Sequence, residues 1–212
     1  MNTQIFDGDE GLVQAVNAWV EERANRYTAK TLFLPTGSTP IPLYRSWEHN
    51  PPTAVRNLRL CQLDEVITGP ETGVFKRFFK EMLPSLSAQF LDFEKVTEAP
   101  ELVILGIGLN GHVAFHEPGY PADLFRGVVT VADEDCDAMK MPRGTKADTY
   151  GTGSFLKSKA ILLIARGGSK RNLLKQLLND PKANFPAAYL REHHDFTILM
   201  DLAANPQEIS SQ

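Results

Sequence analysis

Apolar runs and helical periodicities alternate along this chain. From residue 9 to 27, Leu12, Val16, Trp19 and Val20 fall at i, i+4, i+7 and i+8, which predicts an amphipathic helix with Asp7 or Asp9 at its start. Thr31 to Leu34 is a short apolar run and reads as a strand, ending in Pro35-Thr36-Gly37-Ser38-Thr39-Pro40, after which Ile41 to Trp47 resumes a helical pattern. Leu58 to Leu63 alternates and reads as a second strand that stops at Asp64-Glu65. Val74 to Leu83 looks helical and is stopped by Pro84. Leu102–Leu105, Ala160–Ala165 and Phe196–Met200 are apolar throughout and read as buried strands. Between the last two, Leu173, Leu174, Leu177 and Leu178 mark one face of a helix. The stretch from the histidine-bearing loop to about residue 156 shows no clear period and is expected to be irregular. Strands alternating with helices predict an α/β fold: a mostly parallel sheet with helices on both faces, three-layered and Rossmann-like.

The length of 212 residues predicts one domain spanning 1–212. With 42% apolar and 23% charged residues, the chain can build a single core without staples. Its net charge of −4 lacks the basic footprint of a nucleic-acid binder, so no nucleic-acid partner is expected. No apolar run approaches the ~20 residues needed to span a bilayer, and the polar, acidic first ten residues do not read as a signal peptide. Two cysteines, Cys61 and Cys136, suit a reducing compartment. A cytoplasmic protein without a membrane partner is therefore expected.

In parallel sheets, ligands bind beyond the carboxyl ends of the strands. Three such ends carry unusual residues. Thr36-Gly37-Ser38-Thr39 joins a strand to a helix and offers hydroxyls and backbone N–H groups to an anion, or simply caps the helix. Asp64-Glu65 ends an apolar strand, where one carboxylate can act as a general base or as a structural cap. Gly106-Ile107-Gly108-Leu109-Asn110-Gly111-His112 matches the spacing of a dinucleotide fingerprint. However, Pro118-Gly119 leaves no room for the long helix that fingerprint needs. The glycines instead let something approach the backbone closely. His112 and His116 are spaced i, i+4, a weak metal signal without a third ligand. The stronger reading makes His112 an acid–base group supported by Glu117. No metal or organic cofactor is expected.

These three segments together resemble the glucosamine-6-phosphate deaminase family, part of a wider group with 6-phosphogluconolactonases and ribose-5-phosphate isomerases. The resemblance runs from about residue 10 to 202, and its most specific stretch is Gly111 to Gly119. A weaker stretch, Thr149–Leu156 with Ala160–Lys170, resembles the segment leading to a phosphate-binding lysine. The resemblance implies conversion of glucosamine 6-phosphate and water to fructose 6-phosphate and ammonia. It makes His112 the ring-opening acid–base group, Asp64 the base moving a proton between C2 and C1, and Glu117 the partner of the histidine. It assigns Thr36, Gly37, Ser38, Thr39 and Lys170 to the phosphate, with Glu65 and Gly111 in the substrate site. For the family's phosphate arginine, Lys140 and Arg143 are both candidates.

Asn110 stands where the family usually carries an aspartate. It predicts a lower His112 pKa than in an aspartate-bearing relative, and it also resembles a galactosamine-6-phosphate deaminase branch. The chain is expected to be shorter than most bacterial members, to lack a lid or helix, and to be a monomer or small homo-oligomer. Lactone hydrolysis and sugar-phosphate binding without turnover remain as alternative readings.

Overall fold

The computed structural model describes residues 1–207. Its strands are β1 (Asn2–Phe6), β2 (Thr31–Leu34), β3 (Arg59–Gln62), β4 (Asp64–Val66), β5 (Leu102–Gly106), β6 (Arg126–Thr130), β7 (Lys146–Tyr150), β8 (Ala160–Ala165) and β9 (Phe196–Asp201). Its α-helices are α1 (Gly8–Tyr27), α2 (Ile41–His49), α3 (Thr53–Asn57), α4 (Val74–Met82), α5 (Asp133–Met139), α6 (Thr152–Phe155), α7 (Arg171–Asn179) and α8 (Pro186–Tyr189).

Six strands form one sheet in the order β1-β9-β8-β5-β2-β3, every neighbouring pair parallel. Alternate side chains of a strand point to opposite faces, and both faces are used here. Ile161, Leu163 and Ala165 of β8 join a core with Leu173, Leu174 and Leu177 of α7. Leu162 and Ile164 of the same strand join a second core with Leu12, Val16 and Trp19 of α1 and Tyr44 and Trp47 of α2. This is the expected three-layer α/β arrangement. The chain runs from β2 outward to the edge strand β3, then returns to β5 on the other side of β2. The carboxyl ends of β2 and β5 therefore form a topological switch point, where a crevice opens.

Three features depart from the sequence expectations. The polar stretch Asn2–Ile5 is a strand, paired to β9 from Asn2↔Thr197 to Phe6↔Asp201. It lies at the sheet edge with four of its five residues exposed, so it carries no apolar signature. Asp64-Glu65 does not end a strand but begins a new one. β4 pairs antiparallel with β7, and β7 with β6, in a separate three-stranded sheet. The segment expected to be irregular supplies β6, α5, β7 and α6. Val66, Phe75, Phe115, Val129, Cys136 and Ala147 form a small third core under this sheet. Both cysteines are free and buried. Among the described residues no helix is long and apolar enough to cross a membrane.

Candidate active site

The switch-point crevice is a cavity of about 190 Å³. Thr36, Gly37, Ser38 and Thr39 line it from the end of β2, Asp64 from β4, and Gly106, Gly108 and His112 from the end of β5. Phe75 and Phe115, stacked with ring centroids 5.7 Å apart, form an apolar wall. Asp135 and Met139 of α5 complete the lining.

The turn at 36–39 departs from a plain capped helix. α2 starts after Pro40 with no side-chain cap, so neither Ser38 nor Thr39 serves as one. Gly37 has φ +91°, a left-handed conformation that favours glycine. Within this turn only the Ser38 carbonyl is engaged locally, accepting from the Ile41 N–H at 3.3 Å.

Strand pairing decides which carboxylate faces the cavity. In β4, Asp64 pairs with Thr149, Glu65 with Asp148 and Val66 with Ala147. Because sides alternate, Asp64 turns inward and is 5% exposed. Among the described residues its Oδ1 has no hydrogen-bond partner. Burial, then the charge of Glu65, push its carboxyl up to about 8; His112 opposes this shift and Asp135 adds to it. Glu65 points the other way. It accepts N–H bonds from Val66 (2.9 Å), Phe75 (3.0 Å) and Lys76 (2.8 Å) and the Gln62 Nε2 amide (2.9 Å). Its oxygens brace the start of α4, and it lines a separate cavity from the one Asp64 enters. That cavity, of about 520 Å³, is walled by Phe79, Phe90 and Phe93 and contains no histidine.

The glycine-rich loop after β5 is shaped around its own histidine. A Cβ at Gly108 would stand 2.3 Å from the His112 ring, so the group that approaches the backbone is the imidazole. The Gly108 N–H donates to the His112 carbonyl at 3.0 Å, and the His112 N–H to Asn110 Oδ1 at 3.1 Å. Gly111, at φ +89°, has Phe185 packed where its Cβ would be (2.4 Å). It does not line the cavity, and its left-handed conformation folds the loop.

His112 Nδ1 lies 2.8 Å from Glu117 Oε1, and Asn110 Nδ2 donates to Glu117 Oε2 at 2.6 Å. Burial works against the charged imidazole, but Glu117 and then Asp135 outweigh it, and the ring stays above its ordinary pKa. Glu117 is itself buried; burial raises its carboxyl, and the contact with His112 more than reverses this. Asp135 Oδ2 approaches the same Nδ1 at 3.7 Å. The sequence gives no hint of this residue, because it sits in a seven-residue acidic helix with no amphipathic pattern.

His112 and His116 do not share a helix face. Residues 112–117 form turns with a Val113↔His116 bridge, and Ala114 has φ +52°. His116 is fully buried and its Nδ1 accepts the Thr152 N–H at 3.1 Å. Among the described residues, three metal-type donor atoms come within 4.8 Å of one another only at His112, Glu117 and Asp135. The 2.8 Å contact between His112 and Glu117 there is that of an ion pair, and no metal is assigned.

Lys170 does not line the cavity, but its charge reaches the groups that do. Burial lowers its pKa, Asp135 raises it, and its charge acts on His112. The two candidates for a phosphate arginine lie elsewhere. Lys140 is the left-handed cap of α5 (φ +57°), and exposed Arg143 contacts Asp133 (3.4 Å) and Asp137 (3.2 Å).

Fold and crevice define an α/β protein with a small-molecule-sized cavity at the switch point of its parallel sheet. Two solved structures share the fold: a monomeric glucosamine-6-phosphate deaminase (TM-score 0.79, 24% identity, 96% of this chain and 98% of that one) and 6-phosphogluconolactonase from Trypanosoma brucei (TM-score 0.76, 17% identity, 96% and 97%). No family model matches the chain. Among curated proteins it is 34% identical to a glucosamine-6-phosphate deaminase of Streptococcus thermophilus and 32% identical to one of Enterococcus faecalis, each match covering 83% of this chain and 87% of the relative. A third, from Lacticaseibacillus paracasei, is 29% identical over 96% of this chain and 97% of its own length. The chain belongs to the glucosamine-6-phosphate deaminase family.

Proposed function

We propose that this protein is an enzyme converting glucosamine 6-phosphate and water to fructose 6-phosphate and ammonia. The observation that carries the reading is that Asp64, His112 and the 36–39 turn face one cavity. The turn and Lys170 hold the phosphate, which is remote from the bonds that change. Its binding energy serves to place C2 against Asp64. His112, charged beside Glu117, donates a proton to the ring oxygen as the C1–O5 bond breaks, and the imidazole takes back the proton of the C1 hydroxyl, leaving the open-chain aldehyde. Asp64 removes the C2 proton, giving an enolamine, and returns a proton to C1. Water then adds across the resulting C2=N bond, and ammonia leaves as the C2 ketone forms. The apolar wall of Phe75 and Phe115 keeps Asp64 desolvated, which makes it a stronger base than an exposed aspartate. His112 and Asp64 are thus the catalytic residues, with Glu117 and Asn110 holding the imidazole. This chemistry requires neither a metal nor an organic cofactor.

We read residues 1–212 as one catalytic unit acting as a cytoplasmic monomer or small homo-oligomer, with a small sugar phosphate as its partner. The final five residues lie outside the described part. Free, buried cysteines fit a reducing compartment. Ammonia release, measured with glucosamine 6-phosphate and galactosamine 6-phosphate side by side, tests the function. Turnover of the first is expected. Release from the galactosamine epimer alone would move the reading to that branch, and no release from either by folded protein would refute deamination. Hydrolysis of 6-phosphogluconolactone that survives Asp64→Asn would favour a lactonase.

A further inference from the structure

The His112–Glu117 pair sits under an unusual concentration of acid. Glu117 commits Oε2 to the neutral amide of Asn110 and leaves Oε1 for the imidazole. A second carboxylate then arrives from a different element. Asp135 lies in the first turn of α5 and lines the cavity; its side chain is 27% exposed, but its Oδ2 is buried, without a hydrogen-bond partner among the described residues, and 3.7 Å from His112 Nδ1. Its neighbours on the helix do other things: Asp133 and Asp137 face outward to Arg143. A carboxylate oxygen so placed is costly unless a cation faces it; burial and the neighbouring Glu117 raise the Asp135 pKa, and His112 opposes them. The imidazole edge is the cationic group that meets Asp135 directly, and the charge of Lys170 acts on Asp135 as well.

We infer that Asp135 is a positioning residue for the proposed reaction: from α5 it clamps the edge of His112 opposite the substrate, and with Glu117 it keeps the imidazole protonated and directed into the cavity. The inference rests on the functional reading above for its role in turnover, but not for its electrostatics. The groups that face or act on His112 are Glu117 from its own loop, Asp135 from α5, Asp64 from β4 and Lys170 from the segment before α7. Among the described residues, only Asp135 and Glu117 pair with its Nδ1, so removing either charge acts directly on the imidazolium. It also follows that α5 is part of the site. Its short third core, with Cys136 and Met141 packed under β6 and β7, sets where the carboxylate falls.

The test is the titration of His112 followed by NMR on the full chain without substrate, with His112→Gln assigning the resonance. Asp135→Asn, nearly isosteric, is expected to lower the midpoint by about one unit, the usual size of a neighbouring-charge effect. Asp135→Glu is expected to restore most of the shift, and Asp137→Asn, on the exposed side of the same helix, to leave it unchanged. With glucosamine 6-phosphate, the alkaline limb of kcat should move down by the same amount in Asp135→Asn while KM changes little. An unmoved His112 midpoint in Asp135→Asn would overturn the inference, as would an equal shift in Asp137→Asn. Because the titration needs no substrate, a shifted midpoint in a protein that releases no ammonia would count against the proposed reaction and not against the clamp.

Discussion

The proposed base, Asp64, is held at a cost in stability, and Asp64→Asn measures that cost. The carboxyl is 5% exposed, and among the described residues its Oδ1 has no hydrogen-bond partner. Its pKa rises from 3.8 to about 8, chiefly through burial. At pH 7 the folded protein therefore holds a proton that the unfolded chain would have released. Each pKa unit is worth about 1.4 kcal/mol. The gap of about 3 units between 3.8 and pH 7 makes this cost on the order of 4 kcal/mol, a ceiling that water entering the cavity reduces. The sign follows from the raised value: the favourable contribution of the neutral acid is complete below the unfolded pKa near 4. It is lost as pH rises through the folded value near 8. Asparagine has the same shape and no proton to hold. Asp64→Asn should thus be the more stable protein, by about 1–2 kcal/mol at pH 5 and about 2–4 kcal/mol at pH 7. At the same time it should lose ammonia release by at least ~10²-fold, the usual range for a positioned acid–base group. Urea unfolding of both proteins at the two pH values, beside an ammonia assay, measures both effects. A stability difference that stays the same from pH 5 to pH 7, or an asparagine variant that is less stable, would refute the reasoning.

Gly108→Ala should fold but displace the His112 ring, whose atoms lie 2.3 Å from the new Cβ. A fall in kcat of about 10²-fold with an unchanged circular dichroism spectrum is expected, since misplacement by ~1 Å costs that much. Lys170→Ala should raise KM about tenfold or more and change kcat less, since a charge-assisted phosphate contact contributes roughly 1.5–3 kcal/mol; an unchanged KM would remove Lys170 from the phosphate site. The kcat/KM profile of the unaltered protein should climb from pH 6 toward 8 as Asp64 loses its proton. A profile that is flat over that range would show that Asp64 is not the base.

The main sheet was legible because its interior strands are buried on both faces. Ala160–Ala165 and Leu102–Leu105 are apolar at every position, and no other element needs that pattern. His112, Glu117 and the 36–39 turn were legible as chemistry that a strand end does not otherwise require. Composition and spacing, however, act only along the chain. They could not show that Asn2–Ile5 is an edge strand, since an exposed edge needs no apolar residues. Nor could they choose between Asp64 and Glu65. Pairing with Thr149 and Asp148, some 80 residues away, turns one carboxylate into the cavity and the other onto the N–H groups of α4. Asp135 was invisible for the same reason. An acidic residue on a short helix is unremarkable until the packing of β6 and β7 brings it within 3.7 Å of an imidazole. Burial patterns local to each segment are enough to set the layers and to mark the candidate groups at the strand ends. Which of those groups meet, and with what charge between them, was decided by long-range pairing that only the folded chain contains.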